Sequence, residues 1–136
     1  MPITIKSPRE IELMTEAGRI LEIVHEEMEK ALRPGMTTKD IDRLGEEVIR
    51  SYGCIPSFLN YNGYPASICV SVNDEVVHGI AGNRKLCDGD IVTLDICACY
   101  KGYHGDSAWT YAVGEISDDK KYLMEHTEKA LYAGLA

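Results

Sequence analysis

The sequence is short of positive charge. Fourteen Lys and Arg stand against 22 Asp and Glu, for a formal net charge of −8, so the chain lacks the broadly basic face that a main nucleic-acid partner demands. It has no run approaching the ~20 apolar residues of a membrane-spanning helix. Its opening residues, MPITIKSPREIE, hold no apolar core long enough for a secretory signal. Asn-x-Ser/Thr acceptors are absent. The five cysteines, Cys54, Cys69, Cys87, Cys97 and Cys99, are odd in number and include no C-x-x-C pair, which argues against a disulfide framework and against a structural zinc site. Nor is His25-Glu26-Glu27-Met28-Glu29 an H-E-x-x-H motif, because Glu29 stands where the second histidine belongs; it reads as an exposed helix face. Together these absences predict a cytoplasmic chain with reduced thiols that binds neither nucleic acid nor membrane.

What is present suits one modest domain with a core of its own, residues 1–136, at 45% hydrophobic and 26% charged residues. Ser7-Pro8-Arg9-Glu10 is a helix start: a capping serine, a proline suited to the first turn, and a glutamate that completes a capping box. The apolar stripe Leu13, Ala17, Ile20, Leu21, Val24, Met28, Ala31 gives that helix one buried face, and Arg33-Pro34-Gly35 ends it. Thr37 or Thr38 caps a second helix with the stripe Ile41, Leu44, Val48, Ile49, closed by Gly53. Asn60 to Pro65 is a loop. Ser67 to Val72 and Asp74 to Gly79 read as short strands, and Asp88-Gly89-Asp90 as a turn. Ile91 to Tyr100 and Tyr103 to Val113 form a hairpin. Ser117-Asp118-Asp119 opens another helix, near whose end Glu128-Lys129-Ala130-Leu131 repeats Glu29-Lys30-Ala31-Leu32.

The hairpin holds the chemistry. If Lys101-Gly102 is a two-residue turn, Tyr100 faces Tyr103, Asp95 faces Ala108 and Asp106 faces Cys97. Side chains alternate faces along a strand, so Asp95, Cys97, Asp106 and Ala108 share one face, with His104 on it as well. The two aspartates are then diagonal neighbours, about 7–8 Å apart at the backbone. Converging carboxylates repel, and without compensation one of them takes up a proton. A divalent cation removes the conflict and favours such oxygen ligands. Two readings stand at this point: acids that face solvent, or acids that hold metal. A register shift of one residue would separate them onto opposite faces.

The strings NGYPASICVSVNDEVVHGI, DGDIVTLDICACYKGYHGD and RPGMTTKDID resemble those of type I methionine aminopeptidases, in order and spacing, from the first helix to the end of the chain. The resemblance implies the α/β (α+β) pita-bread fold, a dinuclear divalent-metal site (Co, Mn, Fe or Zn) and removal of the initiator methionine from nascent, ribosome-associated chains. By position it implies that Asp95 and Asp106 are metal ligands. It further implies that His78 contacts the substrate at the scissile bond, and that Tyr61, Tyr64 and Cys69 line the methionine pocket. Phe58 falls where such enzymes commonly carry cysteine. Without the motif, His78 reads as a structural histidine at a strand end, and the cysteines as small core residues.

The same resemblance implies three further ligands, one histidine and two glutamates, from a second half. Glu115, Glu125, His126 and Glu128 lack the surrounding motif for those roles. The expectation is thus the first half of a two-half fold. Such a half is either the amino-terminal part of an aminopeptidase, with low turnover alone, or a non-catalytic metal- or peptide-binding half that forms a homodimer through the surface of the missing half. A proline-directed aminopeptidase on the same fold is a third reading, which NGYPASICVSVN disfavours.

Overall fold

The structure is a computed structural model and describes residues 3–136; Met1 and Pro2, which open the 1–136 span, lie outside the described residues. The element order is α1 (Pro8–Ala31), α2 (Thr38–Ser51), β1 (Ile55–Pro56), a 3-10 turn (Tyr61–Gly63), β2 (Cys69–Val72), β3 (Ile91–Tyr100), β4 (Tyr103–Ala112) and α3 (Asp118–Leu135).

Side-chain oxygens set the first two helix starts. The Ser7 hydroxyl accepts the Glu10 N–H at 3.4 Å, and the Glu10 carboxylate accepts the Ser7 N–H at 2.7 Å, satisfying two backbone donors at once. For α2 the cap is Thr37 rather than Thr38, reciprocated by Asp40 at 3.1 and 3.0 Å. Thr38 is buried and bonds Gly82 instead, accepting its N–H at 2.8 Å and donating to its carbonyl at 3.1 Å.

The sheet is antiparallel and centred on β3, which pairs with β1 and β2 along one side and β4 along the other. Leu94, Ile96 and Ala98 point from β3 into a core completed by Ile20, Leu21, Val24 and Met28 of α1 and Ile41 and Ile49 of α2. At Gly105, helix and hairpin touch: a Cβ there would come within 2.9 Å of the Ala17 backbone. The hairpin turn is Lys101-Gly102, with φ +49° and +89°, the left-handed pair whose twist matches the flanking strands. Tyr100 faces Tyr103, and the register runs unbroken to Ile91 opposite Ala112.

Three local expectations are corrected. Asp74–Gly79 is not a strand. The Val72 N–H donates to the Glu75 carboxylate at 2.8 Å, and Asn73 and His78 take φ +56° and +57°, which an extended ladder excludes. The strand expected from Ser67 begins at Cys69, because the Ser67 and Ile68 amides donate to Asp42 Oδ1 at 2.8 and 2.9 Å. His25 does not lie on an exposed face: it is half-buried between Tyr111 Oη at 2.8 Å and Ser107 Oγ at 3.0 Å.

The third helix begins as expected, with Ser117 accepting the Lys120 N–H at 3.4 Å. It buries no residue. Its anchor is Lys120, whose ammonium donates to the Gly89 carbonyl at 2.6 Å and to Asn73 Oδ1 at 3.0 Å. A cleft of about 470 Å³ lies between this helix and the strand face carrying Thr93, Ala108 and Thr110.

Candidate functional site

The site is built on the side of the hairpin away from α1. Residues 94, 96 and 98 of β3 are spent on the core, so strand alternation sends Asp95 and Cys97 to the opposite face. On β4 the same alternation brings Asp106 to that face, directly across from Cys97, while Asp95 sits between Ala108 of β4 and Cys69 of β2. The two aspartates are the diagonal neighbours that the turn predicts. Asp95 is half-buried and Asp106 exposed.

The carboxylates interact. Burial pushes the Asp95 carboxyl above the ordinary aspartate range; the negative charge of Asp106 and a hydrogen-bond contact with it act in the same direction, and His78 opposes them. Burial also raises the thiols of Cys69 and Cys97, with both aspartates adding to the effect at each. This is a pocket in which negative charge is already costly.

The loop bearing His78 is fixed through its neighbour Gly79. The Gly79 N–H donates to Ser71 Oγ at 3.0 Å, and its carbonyl accepts from the Val70 N–H at 2.9 Å and from the Tyr64 hydroxyl at 3.1 Å. A side chain at 79 would collide with the Val70 carbonyl oxygen. Tyr64 also donates to the Ile68 carbonyl at 3.3 Å and meets the Phe58 ring edge-on at 6.3 Å. Desolvation drives its phenol far above the usual tyrosine range. Phe58, Tyr64, Cys69 and the His78 loop therefore gather on the side where β2 flanks Asp95. Tyr61 stands apart, 66% exposed on the 3-10 turn.

Other acid and imidazole groups resolve into positioning roles. His104 shares the aspartate face, and its Nδ1 lies 2.9 Å from Ser57 Oγ. His126 is exposed and stacks on Tyr122 within α3. Asp42 and Glu46, which sequence reading did not single out, hold the approach to β2: Asp42 takes two backbone amides and Glu46 takes the Ser67 hydroxyl at 2.9 Å. Their only signal in the sequence is an acidic i,i+4 pair on the amphipathic α2.

Two converging carboxylates, one pushed towards its neutral form, are a donor set that a hard divalent cation fits. Among the described residues, no group of three or more His, Cys, Asp or Glu side chains is placed to hold a metal ion. The pair alone would supply only part of a coordination sphere.

Comparison with known proteins places this geometry. Residues 12–136 match the model of metallopeptidase family M24. Methionine aminopeptidase 1 of Bacillus subtilis is 58% identical over 98% of the chain, and methionine aminopeptidase 1 of Mycobacterium tuberculosis 43% over 96%. The aligned region is 54% and 50% of those relatives, so the chain spans about half their length. The crystal structure of methionine aminopeptidase from Rickettsia prowazekii superposes with a TM-score of 0.94 at 33% identity, over 96% of this chain and 53% of that one. A Xaa-Pro dipeptidase from Bacillus anthracis superposes less closely, at 0.76 over 87% of this chain and 32% of that one. The mixed helix and antiparallel sheet is accordingly about half of the pita-bread architecture, and the chain belongs to metallopeptidase family M24, with methionine aminopeptidases among its close relatives.

Proposed function

We propose that this chain forms the amino-terminal half of a metal-dependent methionine aminopeptidase site, in which Asp95 and Asp106 hold divalent metal. The observation that carries the reading is the hairpin register: it sets the two carboxylates side by side on the face not used by the core. The chemistry a bound divalent cation supplies is activation of water and polarisation of a peptide carbonyl; Co, Mn, Fe and Zn all suit such a role. His78, held by its Gly79 anchor, donates a hydrogen bond to the carbonyl oxygen as negative charge builds on it. Phe58, Tyr64 and Cys69 form a partly apolar wall for an N-terminal methionine side chain, with Tyr61 at the rim. The substrate is the N-terminal methionine of nascent peptides, met at the ribosome in the cytoplasm, and residues 1–136 act as one folding unit.

A second reading, from a different class, is a non-catalytic half that binds metal or peptide and associates with another half. It is favoured by the donor set, which among the described residues stops at two carboxylates.

Calorimetric titration with Mn²⁺, paired with a Met-Ala-Ser peptide assay, tests both. Metal uptake that disappears in Asp106→Ala supports the site, whereas uptake unchanged by that substitution removes it. Low turnover is expected for the chain alone. Turnover at the level of a full-length relative would overturn the half-site reading and leave the metal assignment standing.

A further inference from the structure

Between Tyr64 and Cys69 the chain crosses the edge of the core without belonging to a helix or a strand. Ala66, Ser67 and Ile68 are buried, and among the described residues no backbone carbonyl accepts the Ser67 or Ile68 amide. Two consecutive buried N–H groups left without an acceptor would be costly. One atom of α2 takes both: Asp42 Oδ1, at 2.8 and 2.9 Å. A turn further on, Glu46 accepts the Ser67 hydroxyl at 2.9 Å and is itself held by Arg50 Nε at 2.7 Å. Gly45 lets the helix come this close, since a Cβ there would stand 2.9 Å from Ile68 Cδ1.

These contacts reach the candidate site through Ile68. Its N–H is on Asp42, and its carbonyl accepts the Tyr64 hydroxyl, which also reaches the Gly79 carbonyl. The next residue, Cys69, opens β2 directly across from Asp95. Val70 then donates to the carbonyl of Gly79, the neighbour of His78. Burial pushes the Asp42 carboxyl above the ordinary aspartate range, against the pull of its two amides and with the charge of Glu46 adding to the rise. Like charges one turn apart weaken a helix, so α2 gains nothing from this pair of acids; the segment 67–69 does.

We propose that Asp42 is a positioning residue for the methionine pocket: by fixing the Ser67 and Ile68 amides it sets where Tyr64 and Cys69 stand relative to Asp95. The inference rests on the pocket reading given above. Among the described residues the hydrogen bonds of Asp42 go to backbone amides alone, so its effect passes through the main chain. Every bond on the route is made within residues 42–79.

Calorimetric titration of the intact chain with Mn²⁺ and with the peptide Met-Ala-Ser tests the assignment, with circular dichroism reporting the retained fold. Asp42→Ala should weaken peptide binding by at least about tenfold, the effect of a small displacement at a binding wall, and leave Mn²⁺ uptake unchanged. Asp42→Asn keeps the accepting oxygen and should restore most of the affinity. Asp42→Glu keeps the charge but displaces the oxygen by one methylene, and should bind the peptide weakly; it decides the matter if the alanine variant does not fold. A purely structural role would lower Tm and leave the peptide affinity of the folded variants alone, and that result overturns the inference. So does a parallel loss of Mn²⁺ uptake, because the substitution then disturbs the whole sheet. An unsubstituted chain that takes up Mn²⁺ but no Met-Ala-Ser overturns the pocket reading itself, and this inference with it.

Discussion

The first and third helices begin alike and end differently. Both open on a serine whose hydroxyl accepts the amide three residues on, and both carry the string Glu-Lys-Ala-Leu near their ends. Five residues of α1 are buried, and Leu32, just past its end, packs against the core. In α3 no residue is buried, and Leu131, the equivalent leucine, is 49% exposed. Capping chemistry decides where a helix starts; it says nothing about where the helix docks. What separates the two is a seam. Ala17 meets the bare backbone of Gly105 at van der Waals distance, whereas α3 faces a cleft.

The contrast is sharpest in the core. Met28 is fully buried, and Met28→Ala is expected to cost about 2–5 kcal/mol in urea denaturation. Leu131→Ala should change stability by less than about 0.5 kcal/mol. Equal costs would mean that α3 is packed in solution. Next in size is the seam: Gly105→Ala forces α1 and β4 apart and is expected to cost about 1–3 kcal/mol, read as a lowered Tm. The caps come third. Ser7→Ala should remove about 1 kcal/mol from global stability. Ser117→Ala should fray the first turn of α3, visible in helical circular dichroism, without moving the unfolding midpoint. A shift in midpoint from Ser117→Ala would abolish the distinction between the helices.

The smallest effect is pH dependence at the α1 seam. Burial lowers the His25 pKa below the ordinary histidine range. The unfolded chain therefore binds the proton more readily than the folded one. The contribution is fully present above the unfolded value and is lost as pH falls through about 6.5 towards the folded value. His25→Gln should flatten that part of a stability–pH profile. A profile unchanged by the substitution would show that His25 is not desolvated.

Much of this was readable in the residues. Ser7-x-x-Glu10 announced its own capping box, and Lys101-Gly102 fixed a ten-pair register, because a turn with two left-handed residues admits one alignment of its strands. The diagonal placement of Asp95 and Asp106 followed from that turn alone. Local signals failed where distant partners decide. Val76 and Val77 carry strand propensity, but Glu75 bonds backwards to Val72 and Asn73 turns left-handed, so the chain leaves the sheet. His25 looked exposed because Ser107 and Tyr111 lie more than 80 positions away in sequence. Thr37 and Thr38 were equivalent as caps until Gly82 claimed the second.

Lys120 gives α3 the character of a lever with a single clasp. The helix is about 27 Å long, and the ammonium that grips Gly89 and Asn73 sits at its near end. A swing of only ten degrees there moves Leu135 by about 4 Å. Neutralising one side chain, Lys120, would unfasten the whole arm while leaving the body beneath it intact.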